Sequence, residues 1–142
     1  MSTLKVDTYL TRGGASEIAI DKLKGVTAAG SMLVVAEGGT NTTNLQQGLC
    51  KAWSITSGSD ATSDDSFNYT SNTDNGTGDY SHGLTNNLNS TSYSVPATCG
   101  QDSSTFAINK ARATNSVRVM NIRHDNAAVD VDQVHAIHGD LA

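Results

Sequence analysis

The chain has 142 residues, of which 16% are charged and 5% aromatic, with a formal net charge of −5 and a pI near 5.1. That length fits one domain with an appended arm, and nine scattered basic residues do not make the cationic patch that a nucleic-acid backbone demands. No apolar run approaches the ~20 residues of a membrane span, and the opening MSTLKVDTYL lacks the basic-then-apolar pattern of a secretion signal, so a chain made in a cytoplasm is expected.

Ser (16), Thr (17) and Asn (12) supply nearly a third of the residues. Their side chains compete with the backbone for hydrogen bonds and are poor in helix interiors, while Thr suits a pleated, half-buried strand. With a single proline, Pro96, the composition predicts strands and turns rather than a helical bundle.

In chain order, Leu4, Val6 and Thr8 alternate with Lys5 and Asp7, a short strand signal. Glu17 to Ile20 and Met32 to Ala36 are further short strands separated by glycine-containing stretches. None of these builds a core of its own. Residues 38–48 (GGTNTTNLQQG) read as a linker with a short helical turn from Asn44 to Leu49. The division expected is an extended N-terminal arm and linker over 1–44 and an antiparallel β domain over 45–142.

In that domain Cys50 to Thr56 alternates Cys50, Ala52 and Ser54 against Lys51, Trp53 and Ile55. Ser57 to Ser63 is a polar loop, and Ser66 to Thr70 reads as one strand with Phe67 and Tyr69 on the same face. Asn72 to Asp79 (NTDNGTGD) is a dense turn, and Asp79 to Leu84 returns with Tyr80, His82 and Leu84 aligned, which makes a hairpin. Tyr93, Val95 and Ala97 alternate next, and Phe106 and Ile108 follow. Ser116 to His124 reads as the longest strand, with Val117 and Val119 facing one way and Met120 and Ile122 the other; Val129 to Gly139 closes the series. Strands at this spacing predict an all-β, sandwich-like domain. Modest apolar residues on both faces of several strands point to burial against a neighbouring subunit, because small all-β domains are marginal alone.

Candidate chemistry is sparse. The 72–79 turn alternates oxygen side chains with glycines but lacks the order of an EF-hand loop and its closing Glu. His135 and His138 form H-x-x-H, which would share a face on a helix, but residues three apart on a strand face opposite ways. His82 and His124 read as surface or interface residues. Asp64-Asp65 and Asp130-Val131-Asp132 read as solvated carboxylates rather than a convergent acid–base pair. Cys50 and Cys99 read as free thiols packed as small hydrophobes, with a disulfide as the alternative. No catalytic constellation is found, and neither a metal nor a cofactor is expected. Trp53, Tyr80 and Tyr93 are candidate glycan or oligomer contacts, with strand-core packing as the competing reading.

The segments Leu45 to Trp53 (LQQGLCKAW), Asp65 to Asn68 (DSFN), Thr73 to Tyr80 (TDNGTGDY), Val117-Arg118-Val119 and His138-Gly139-Asp140 resemble the C-terminal module of tail-fibre-like proteins of phages of marine and freshwater bacteria, cyanophages among them. The opening Ser2 to Thr8 is similar to the particle-attaching start of such fibres. The resemblance implies a non-enzymatic homotrimer anchored by its N-terminus, with no ligand named. Only residues 9–44 separate the two ends, so a stubby fibre, a neck or head appendage, or a capsid decoration (cement) protein is expected in place of a long-reach adhesin. On that reading the chain belongs to the virion, Leu4, Val6 and Leu10 anchor the arm on another virion protein by strand addition, and the β domain projects toward the host surface. A glycan-binding module is the reading from another class.

Overall fold

A computed structural model describes residues 32–37, 39–100 and 104–142 of the protein. The anchors Leu4, Val6 and Leu10 and the short strands expected before Met32 lie outside the described residues. Among those described, 54% are in strands and 4% in helix.

The strands follow from two-residue periodicity. In β3 (Ala52–Thr56) Ala52, Ser54 and Thr56 are buried while Trp53 and Ile55 point outward; in β9 (Ser116–Arg123) Val117, Val119 and Asn121 are buried. The same alternation buries Tyr80, His82 and Leu84 of β6 (Asp79–Leu84) and Gln133, His135 and Ile137 of β10 (Gln133–Ile137). The other strands are β1 (Leu33–Val35), β2 (Thr42–Asn44), β4 (Ser63–Phe67), β5 (Tyr69–Asp74), β7 (Ala97–Cys99) and β8 (Thr105–Ala113).

Two four-stranded antiparallel sheets result, with strand orders β4-β3-β10-β7 and β5-β6-β9-β8. Their inner faces meet: Ala52 and Ile137 from the first sheet pack with Leu84, Val117 and Val119 from the second, and Leu88 and Tyr93 plug one end. Tyr93 is fixed there by its hydroxyl, which lies 3.0 Å from the Ala113 carbonyl and 2.9 Å from that of Ser116. The expectation of an all-β, antiparallel domain holds.

β1 and β2 pair as a separate hairpin within the stretch expected to be arm and linker, and a single helical turn, α1 (Leu45–Gly48), follows it. The Asn44 side chain caps that turn by accepting from the Gln47 amide at 3.1 Å. Leu33, Val34 and Val35 are all exposed, so this hairpin buries little of its own apolar surface.

Two strand expectations need correction. The 66–70 segment is not one strand. Asn68 sits at φ 63° and splits it, sending Phe67 to the outer face of the first sheet while Tyr69 enters the second. Asn tolerates the left-handed region, and its side chain secures the crossing by donating to the Lys51 carbonyl and accepting from the Asn86 amide at 2.7 Å. The longest strand is β8 with nine residues, not β9 with eight. A register shift at Lys110, between Asn109 and Ala111, inserts an extra residue, which lets β8 keep pairing with β9 across the irregularity.

Candidate functional site

Between the sheets lies a polar centre that the order of residues in the chain does not announce. His82 and His135 are 0% and 1% exposed, and their rings lie 4.3 Å apart, centre to centre, with Tyr69 edge-on to both at 5.9 and 5.3 Å. Gln133 is equally buried beside them, and Asn121, also fully buried, lies further along β9 and donates to the Val131 carbonyl at 2.7 Å. This corrects the reading of His82 as a surface or interface residue: its place between Tyr80 and Leu84 on the inward side of β6 carries it into the core. For His135 and His138, strand geometry separates the pair as expected, with His135 turned inward and buried.

A hydrogen-bond chain crosses the sandwich to this centre. Thr56 and Ser54 hydroxyls lie 3.0 Å apart, Ser54 reaches Ser63 at 3.1 Å, and Asn72 donates to Ser63 at 2.7 Å. The Asn72 side-chain oxygen then faces His82 Nδ1 at 2.8 Å. Because that amide oxygen only accepts, Nδ1 of His82 is the protonated nitrogen and Nε2 is left a bare acceptor. His82 Nε2, both ring nitrogens of His135, the Gln133 amide atoms, Asn121 Oδ1 and the Tyr69 hydroxyl find no hydrogen-bond partner among the described residues.

Burial without compensating bonds disfavours the charged forms. It pushes His82 down to about 4, with Gln133 nearby opposing the shift. Burial and then the neighbouring His82 push His135 down to about 3. Burial raises the Tyr69 phenol, so all three rings are neutral near pH 7. Burial of this kind makes the centre sensitive to acid. Among the described residues no group of three or more His, Cys, Asp or Glu is arranged to hold a metal ion.

The solvated reading holds for Asp64 and Asp65 and is corrected for Asp130 and Asp132. Asp64 and Asp65 are exposed on β4. Asp130 and Asp132 instead hold loops: Asp130 accepts from the Tyr80 hydroxyl at 3.0 Å, and Asp132 accepts from the Gly58 amide at 3.0 Å. The Gly58 carbonyl accepts from the Tyr80 hydroxyl at 2.7 Å. The two segments approach so closely that a Cβ on Gly58 would stand 2.3 Å from the Val131 backbone. Asp79 pairs with Arg118 at 2.6 Å and with Lys110, and hydrogen bonding to Arg118, then to Lys110, holds its carboxyl below the ordinary range despite burial. Cys50 and Cys99 are both free thiols.

The outward faces carry what the interior cannot. On the first sheet Trp53 stands opposite Phe67 and Ala136, and Ile55 stands opposite Val134 and Asp65. Phe67 is 53% exposed, Val134 41% and Ile55 37%. On the second sheet Ile122 pairs with Phe106 and Met120 with Ile108, and Phe106 is 54% exposed. Of the three aromatics singled out in the sequence, Tyr80 and Tyr93 are buried, at 1% and 5% exposure. Their hydroxyls are tied into loop and strand carbonyls, which removes them from any glycan or oligomer contact. Only Trp53 lies on a face.

Sequence reasoning does not single out Phe67, Phe106, Ile108 and Val134 as surface candidates. The signal is there in part, since the alternation along β9 already sets Met120 and Ile122 opposite Val117 and Val119. Comparison with protein-family models, curated proteins and solved structures finds no match to this chain. No helix among the described residues is long and apolar enough to cross a membrane.

Proposed function

We propose that the protein is a structural subunit of a bacteriophage particle, a short fibre or appendage that works as a homo-oligomer, with its N-terminal segment docking on another virion protein. The observation that carries this reading is a pair of apolar sheet faces open among the described residues, one with Ile55, Phe67 and Val134 exposed beside half-buried Trp53 and the other with Phe106 and Ile108 exposed beside half-buried Met120 and Ile122. Contiguous exposed apolar surface marks an interaction site. The exposed Leu33-Val34-Val35 strand adds a further apolar element toward the proposed anchoring end. The likeness of the LQQGLCKAW, DSFN and TDNGTGDY segments to phage tail-fibre modules supplies the context.

Capsid decoration is the second reading, since cement proteins also present apolar faces to neighbours. The glycan-binding reading is weakened by the burial of Tyr80 and Tyr93. Antibody labelling of intact particles, with copies counted per particle, tests the proposal. Label on the tail, neck or a single vertex in copy numbers matching that symmetry supports an appendage. Label over the whole head at three-fold positions supports cement. Particles carrying none of the protein overturn both.

A further inference from the structure

Resting on the homo-oligomer reading, we infer that the contact is heterologous: the outer face of the β4-β3-β10-β7 sheet of one copy covers the outer face of the β5-β6-β9-β8 sheet of the next. Three features of the fold lead there.

The first is charge. The strands of the first sheet carry two carboxylates, Asp64 and Asp65, and no Lys or Arg. On the outer side of the second, Lys110 and Arg118 surround a single carboxylate, Asp79, while Arg112, Arg123 and Asp74 share the inward parity of Val117 and Tyr80. Lys110 and Arg118 keep 40% and 37% of their side-chain surface open while they hold Asp79. A face pairing with its own copy sets like charges opposite one another, whereas pairing first sheet to second sets opposite charges together. Such juxtaposition selects partner and register more than it adds affinity.

The second is coverage. A two-fold contact through either face alone leaves the other apolar face bare in both copies, while a head-to-tail contact covers one face of each kind at every junction. The rotation between copies then decides between a closed ring and an open filament.

The third is the edges, which are poor docking points. β4 presents Asp64 and Asp65, β7 has only three residues, and β5 and β8 are interrupted at Thr70 and Lys110. Charges, short length and bulges all discourage strand addition. Faces remain.

Two substitutions at half-open positions test this: Ile55→Arg on the first face and Ile108→Arg on the second, 37% and 39% exposed. Each is studied by native mass spectrometry alone and in an equimolar mixture, one partner labelled with nitrogen-15. The expected result is an oligomer for the wild-type chain, monomers for each variant alone, and a 1:1 labelled–unlabelled dimer in the mixture, because each variant retains the one face the other needs. If one variant keeps the wild-type mass while the other is monomeric, a single face pairs with itself and the inference is overturned. It is overturned equally if both variants keep the wild-type mass, or if the mixture stays monomeric. A monomeric wild-type chain instead overturns the homo-oligomer reading beneath it. Should either arginine prevent folding, judged by loss of a cooperative thermal transition, Phe67→Arg and Phe106→Arg, 53% and 54% exposed, repeat the experiment on the same two faces.

Discussion

His82 on β6 and His135 on β10 come from opposite sheets and meet ring to ring, 4.3 Å apart, at the centre of the sandwich. Neither ring is charged there, and His135 has no hydrogen-bond partner for either nitrogen among the described residues. A core normally satisfies its polar groups, so this contact is a local cost that the surrounding strands hold in place.

Acid should release it. Each imidazole titrates near 6.5 in the unfolded chain, but at about 4 for His82 and about 3 for His135 in the folded one. Between those values the unfolded state binds more protons. Stability is therefore complete above about pH 6.5 and falls as pH drops toward the folded values. Asp79 acts in the same direction at lower pH: its depressed carboxyl adds stability that is lost as pH falls below its unfolded value of 3.8. Urea unfolding at pH 7 and pH 4.5 should show a loss on the order of 5 kcal/mol, about half from each histidine, and an unchanged midpoint would refute the buried neutral pair.

Replacing His135 by Leu should make the molecule less sensitive to acid. The substitution removes two unpartnered nitrogens at similar volume, so stability at pH 7 should stay level or rise by about 1 kcal/mol, and the fall between pH 7 and 4.5 should shrink to roughly half of the wild-type loss. A variant with the full wild-type pH dependence would place the acid sensitivity elsewhere.

Asn68 predicts an ordered pair of effects. Asn68→Gly keeps the left-handed backbone at φ 63° but loses the side-chain bonds to Lys51 and Asn86, at a cost of about 1–2 kcal/mol. Asn68→Ala loses the same bonds and adds roughly 1 kcal/mol of backbone strain. Thermal or urea midpoints should fall in that order; equal midpoints would show that the backbone conformation is not what Asn supplies.

Gly58→Ala should be among the most damaging single methyl additions. The new carbon would sit 2.3 to 2.5 Å from the Val131 backbone, where no flexible side chain can give way, and the loop bonds from Tyr80 and to Asp132 depend on that approach. A loss of about 3 kcal/mol or more is expected. Gly39→Ala, whose nearest neighbours would lie at 3.8 Å, serves as the tolerated control.

Much of the strand framework is legible in the residues themselves. The hairpin through Asn75 and Gly76 is announced by a dense run of turn residues, and the alternation of Val117 and Val119 against Met120 and Ile122 assigns both faces of β9. The crossing at Asn68 is hidden because Phe67 and Tyr69 obey the parity of a single strand; only the left-handed turn between them, set by bonds to Lys51 and Asn86, sends them to different sheets. The polar centre is hidden for a related reason. His82 shares its side of β6 with Tyr80 and Leu84, so its direction is readable, but its burial depends on His135 and Gln133 arriving from a strand distant in sequence. The open faces are legible only as apolar residues on both sides of a strand, since what covers a face is decided outside the chain.

The central claim is that these faces bring copies of the chain together. The mass of the purified 142-residue chain in solution, taken by light scattering across a dilution series, tests it most directly. A multiple of the 14.8 kDa subunit mass that persists into the low micromolar range is the predicted result, and a monomer at every concentration would contradict it.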